Sequence, residues 1–141
     1  MKKPVSDLDV LLASLEPVLN PVQVAYVFIA QGQRCPFDLL RDEVLGMFRE
    51  AEGLTVIVEL DLAVKSGLPI EMRAAWITLT VHSDLKAVGL TAAFAGALGA
   101  AGISCNVVAA TFHDHIFVAQ EDASQAMSAL EKLQRNPVPH A

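Results

Sequence analysis

The chain has 141 residues, a formal net charge of −6, 53% hydrophobic residues and only 18% charged ones. That length holds one domain or two very small ones, and the apolar fraction is enough for a core and too high for a disordered chain. An acidic chain repels phosphate backbones, and its Lys and Arg residues form no basic stripe, so nucleic acid is excluded as an expected partner.

The basic start, Met1-Lys2-Lys3, is followed by Asp7, Asp9 and Glu16 before any apolar run develops, so no signal peptide is expected. Ser6 reads as the N-cap of a helix in which Leu8, Leu11, Leu12 and Leu15 share a face, ended by Pro17 and Asn20-Pro21. Residues 22–30, rich in Val, Tyr, Phe and Ile, predict a strand. Residues 31–42, with Gly32 and Pro36, predict a loop with room for one helical turn at 37–40. Residues 44–48 have the composition of a short strand without a decisive period. Residues 54–60 predict a strand that runs into a short helix, 61–66, closed by Gly67. Residues 73–81 predict another strand, in which Trp76, Thr78 and Thr80 alternate with Ile77, Leu79 and Val81.

Between Ala87 and Phe112 there is no charged residue, a stretch long enough to cross a membrane. It breaks at Ala101-Gly102, where an Ala- and Gly-rich composition becomes strand-like, so a buried helix at 85–101 and a buried strand at 103–111 are expected instead, with no membrane partner. The small residues Ala92, Gly96 and Ala100 share one face of that helix and predict close internal packing. A tight turn at His113-Asp114, a strand at 115–119 and a helix at 122–133 follow, the helix with Ala126, Met127, Leu130 and Leu133 as its apolar stripe. The tail, 136–141, holds Pro137 and Pro139 and is expected to be loose.

Val56-Ile57-Val58-Glu59-Leu60-Asp61-Leu62-Ala63 lies over Ile116-Phe117-Val118-Ala119-Gln120-Glu121-Asp122-Ala123: in each, an apolar strand runs into an acidic helix start. The repeat predicts an N-terminal helix at 1–21, a first unit at 22–71 without a full first helix, and a second unit at 72–135. The fold class is then α+β, with antiparallel sheets and helices on one face.

Asp84-Leu85-Lys86-Ala87-Val88-Gly89-Leu90-Thr91, with Leu98 and Ala101-Gly102-Ile103-Ser104-Cys105-Asn106-Val107, resembles the core of an ACT domain. The continuation Ala110-Thr111-Phe112-His113-Asp114-His115-Ile116-Phe117-Val118 resembles the hairpin of the tandem-ACT group, which includes the CASTOR-type arginine sensors and many bacterial ACT proteins. The resemblance covers residues 77–129 and extends to the first half through Glu52-Gly53-Leu54-Thr55-Val56-Ile57-Val58-Glu59. It implies two ferredoxin-like βαββαβ units in tandem, a small-molecule ligand (an amino acid), a homodimer or higher oligomer, no cofactor and no catalysis.

By that resemblance Val88, Gly89 and Leu90 hold the ligand's main-chain atoms at a helix N-terminus, where unpaired N–H groups suit a carboxylate. Ser83 and Asp84 are either the helix N-cap or a polar rim, with Asp84 accepting an ammonium group. Asn106 and Thr111 are candidates for ligand hydrogen bonds or for local backbone satisfaction. His113 and Asp114 read as a polar turn or as the wall of the site; with His82 and His115 they would also be the donors of a metal-dependent enzyme, although their spacing suits no metal motif. Trp76 reads as a core residue or a pocket wall. Cys35 and Cys105 read as free thiols in a cytoplasmic protein, with no local sign of activation. The expected function is a non-enzymatic, ligand-binding regulatory module whose output passes through another protein. The alternatives are a ligand-free homo-oligomerisation module and the metal-dependent enzyme.

Overall fold

The computed structural model describes residues 7–82 and 89–135. In chain order the elements are α1 (Leu8–Ala13), β1 (Pro17–Leu19), β2 (Val24–Ala30), β3 (Val44–Arg49), β4 (Gly53–Glu59), α2 (Leu60–Ser66), β5 (Ile70–Leu79), α3 (Leu90–Ala100), β6 (Cys105–Ala109), β7 (Asp114–Ala119), a 3₁₀ turn (Gln120–Asp122) and α4 (Ala123–Arg135). They form two compact units, one of residues 21–75 and the other of residues 7–20 with 76–135. The class is α+β, two ferredoxin-like units in tandem with antiparallel sheets.

In the unit of residues 21–75, β4 lies between β3 and β2, and β2 pairs with the first part of β5, all antiparallel. The register sets Val27 opposite Val56 and Ala25 opposite Val58. Alternation therefore turns Ala25, Val27, Ile29, Val56 and Val58 to one face, where they are buried with Leu62, Ala63 and Leu68. The segment 31–43 is not helical: Asp38 Oδ1 accepts from Leu40 N at 2.9 Å and Arg41 N donates to Asp38 O at 3.2 Å, so the predicted helical turn closes as an Asx-type turn instead. Cys35, Phe37 and Leu39 from this loop pack against the core, covering sheet area that a first helix would otherwise cover.

The other unit gathers α1, α3 and α4 against one face of its strands. Residues 7–20, predicted as a separate N-terminal helix, belong to this unit: α1 packs on α3 and α4, and β1 pairs with β5 through Pro17–Leu79, Val18–Thr78 and Leu19–Ile77. The helix is capped by Asp7, whose Oδ1 accepts from Val10 N at 3.1 Å, and not by the predicted Ser6, which lies outside the described residues. Leu11, Leu12, Leu15, Ile77, Leu79, Phe94, Leu98, Ile116, Val118 and Leu130 form the core.

The sequence repeat is also a repeat of backbone geometry. Glu59, before α2, has φ −58° and ψ 139°, and Ala119, its counterpart before the 3₁₀ turn, has φ −54° and ψ 141°. The same strand-to-helix corner is built twice.

α3 begins at Leu90, with the preceding segment 83–88 outside the described residues. It ends in a Schellman motif: Ile103 N donates to Leu98 O at 2.9 Å and Gly102 N to Gly99 O at 3.0 Å, with Gly102 at φ 76°. Leu90, Phe94 and Leu98 are its buried face. Ala92, Gly96 and Ala100 are exposed, correcting the expectation that they pack internally; the larger side chains fill the space above the sheet, so the small ones are left to solvent.

The β6–β7 hairpin turns through 110–113, closed by Ala110 N donating to His113 O at 3.0 Å. Asp114 pairs with Ala109 inside the ladder, so the turn lies earlier than predicted. β6 is a sheet edge and mostly exposed rather than buried. Among the described residues no helix is long and apolar enough to cross a membrane.

Candidate ligand site

The start of α3 differs from that of α1. Gly89 is its N-cap, with φ 98°, and supplies no side chain to accept from the helix's first N–H groups; the first turn holds no acidic residue. Gly89 and the first turn of α3 thus offer these donors and the positive end of the helix dipole no compensating side chain of their own. The space a Cβ would take at Gly89 is held by Leu8, whose Cδ2 would lie 2.9 Å away. That methyl is the end of a partly buried, flexible side chain, so it is the backbone conformation that already calls for a glycine here.

Leu90 is buried at 3% exposure, backbone included, and so presents little surface at the helix start. Ser83, Asp84 and Val88 lie outside the described residues. His82, where the described chain stops before this segment, contacts Phe112 at the hairpin tip, with ring centroids 5.3 Å apart. The tip is thereby brought to His82, the last described residue before that segment. Thr111 and Asn106 are exposed, His113 is half-buried, and Asp114 is buried at 6% exposure with little surface to offer a ligand.

A side-chain network that the sequence reading did not assemble lies on the sheet face away from the helices. Trp76 Nε1 donates to His115 Nδ1 at 3.1 Å, and Thr78 Oγ1 sits 3.2 Å from the same nitrogen. Asn20 Nδ2 donates to Thr78 Oγ1 and to Trp76 O, each at 3.0 Å. An indole nitrogen can only donate, so His115 Nδ1 carries its lone pair and the neutral ring holds its proton on Nε2. Burial pushes the His115 pKa down, and the neighbouring His113 adds to this, while Asp114 opposes both. Strand alternation had placed Trp76 and Thr78 on one face; the pairing of β5 with β7, and Asn20 beside them, had no signal in the sequence.

Among the described residues no group of three or more His, Cys, Asp or Glu side chains is arranged to hold a metal ion. The rings of His113 and His115 are 6.5 Å apart, and Nδ1 of His115 is engaged by Trp76. Cys35 Sγ donates to Phe37 O at 3.1 Å, and burial raises the Cys105 pKa, which disfavours its thiolate. A cavity of ≈ 460 Å³ lies between α3 and α4, and one of ≈ 540 Å³ lies at the end of β2, beside Arg49 and Glu50.

Residues 3–75 match one ACT-domain family model and residues 71–132 match another. The chain is similar to a Vibrio cholerae protein of unknown function described as a possible transport protein, at 43% identity over 90% of this chain and 95% of that one, with a TM-score of 0.77. Its fold is also that of the ligand-free regulatory subunit of aspartate kinase from Thermus thermophilus, at 13% identity over 84% of this chain and 97% of that one, with a TM-score of 0.63. An Agrobacterium tumefaciens protein shares the fold at 16% identity over 79% and 81% of the two chains, with a TM-score of 0.57. No curated protein matches the chain.

Proposed function

The chain belongs to the ACT-domain family, and on that premise we propose that it is a non-enzymatic regulatory module that binds an amino acid at the start of α3. The observation that carries this reading is the uncapped helix start at Gly89, with no acidic residue in the first turn. A ligand carboxylate there would meet free N–H groups and the positive end of an eleven-residue helix. The main-chain groups of Val88, Gly89 and Leu90 would hold it. Ser83, Asp84, Asn106, Thr111, His113 and Asp114 are the proposed surroundings. The hairpin tip, held to His82 through Phe112, would form the wall.

A thermal-shift screen of the twenty amino acids at millimolar concentration tests this. A ligand present at about a hundred times its Kd stabilises the folded state by about 2.7 kcal/mol, and such a rise is expected for at least one of them. A flat response to all twenty would remove the proposal.

The sheet edge favours a second reading, homo-oligomerisation. β3 has β4 on one side only, and Phe48 on it is 73% exposed. An open edge with an apolar side chain is a template for pairing. The wild-type chain is expected to sediment as a dimer or larger, and Phe48→Glu as a smaller species. Identical sedimentation of the two would dismiss this edge as the seam.

A further inference from the structure

We propose that His115 is a proton-operated latch that ties the β6–β7 hairpin to β5, closed while its imidazole is neutral and opened by a single proton. The proposal needs no ligand and stands apart from the amino-acid reading. Its basis is the donor-only indole: Trp76 Nε1 reaches His115 Nδ1 at 3.1 Å, so the bond exists only while Nδ1 has a free lone pair. A proton on Nδ1 would set N–H against the indole N–H and end that bond, while Thr78 Oγ1, 3.2 Å away, would turn from donor to acceptor. Thr78 Oγ1 has a second lone pair beside the one that accepts from Asn20, so the loss would fall on the Trp76 link alone.

The groups around His115 set the direction. Its partner across β6 is Val108, which does not titrate, and the β5 residues that reach it, Trp76 and Thr78, carry no charge. Glu16 comes to the far end of the same β5 face, where its Oε2 lies 3.5 Å from Thr80 Oγ1. On the hairpin, His113 disfavours a second positive charge, and Asp114 favours one less strongly than burial and His113 oppose it. His82 meets the tip at Phe112, with ring centroids 5.3 Å apart. The folded-state pKa of His115 is thus lowered below the unfolded value of about 6.5. The latch therefore contributes its full stability above that unfolded value and loses it as pH falls through the depressed folded one.

Trp76 is the only tryptophan, so its fluorescence reports the latch without ambiguity. The emission of the full chain is titrated from about pH 8 to about pH 4.5, a range that brackets histidine ionisation, with far-UV circular dichroism recorded in parallel to separate latch opening from global unfolding. One single-proton transition is expected in the wild type, with its midpoint below that of an unperturbed histidine. In His115→Asn the amide oxygen can take the place of Nδ1 as an acceptor but cannot titrate, so the transition is expected to be lost. His113→Gln should move the midpoint upward, and His82→Gln should leave it in place. A transition that survives in His115→Asn, or its absence in folded wild-type protein, would overturn the proposal.

Discussion

Gly53→Ala is expected to destabilise the chain by about 3 kcal/mol or more, from overpacking of about 1–3 kcal/mol together with backbone strain of about 1–3 kcal/mol. Gly53 is the first residue of β4, buried and paired with Ala30. A Cβ there would fall on the carbonyl oxygen of Ile29, and would lie 2.8 Å from Phe28 Cζ and 3.0 Å from Ala30 Cα. The phenylalanine tip can move, but the two backbone atoms belong to the paired strand β2 and cannot. The residue also has φ 155°, which a side chain rarely adopts. Relaxation by withdrawal of the β3–β4 turn is blocked, because Glu50 N donates to Gly53 O at 2.8 Å and Gly53 N to Glu50 O at 3.2 Å. Urea denaturation of the two proteins measures the effect as a shift in midpoint. A loss under about 1 kcal/mol would mean that β4 can slide away from β2 at this end, contrary to the register described.

The second large effect is expected at Phe94. It is fully buried in the middle of α3, one turn from both Leu90 and Leu98, and it is the largest fully buried side chain in its unit. Phe94→Ala removes the ring and leaves a cavity that the neighbouring strands can fill only in part, at a cost of about 3–5 kcal/mol. Phe94→Leu keeps most of the volume and should cost less than about 1.5 kcal/mol. Phe94→Met serves as a second volume-conserving control. The same denaturation measurement separates the variants. Equal midpoints for Phe94→Ala and wild type would show that α3 is not held through this side chain. Because the proposed carboxylate site is the first turn of this helix, the alanine variant should also weaken any amino-acid stabilisation, and the leucine variant should preserve it.

Gly89 needs a more careful reading than either. Leu8 occupies the volume that a side chain would claim, and φ 98° suits glycine alone, so a loss of stability on substitution would follow with or without a ligand. Stability cannot separate the two roles; ligand-induced stabilisation can. The amino-acid screen therefore bears on function where a mutant melting curve would bear only on packing.

Much of the architecture was legible in the chain itself. β-Branched and aromatic composition identified β2 and β4 and alternation identified β5, and each of the three buries one face. Gly67 and Gly102 marked the ends of α2 and α3 because left-handed residues after a helix are usually glycine. The repeat between residues 56–63 and 116–123 anticipated a corner whose dihedral angles agree within a few degrees. The start of α3 was less legible: the sequence suggested a helix from residue 85 with Ser83 or Asp84 as its N-cap, whereas the helix begins at Leu90 with Gly89 as the N-cap.

Tertiary structure decided the rest. Which face of α3 is inside depended on the shape of the space above the strands: Leu90, Phe94 and Leu98 fill it, and Ala92, Gly96 and Ala100 could not. Residues 7–20 joined the later unit because β1 pairs with β5, a contact between positions some sixty residues apart that no local pattern encodes. For the same reason Asn20, Trp76, Thr78 and His115 read as four unrelated residues along the chain. Local chemistry specifies a strand, a turn or a helix end over a few residues, whereas a hydrogen bond between distant side chains exists only after strand order and register have been set by burial of the whole core.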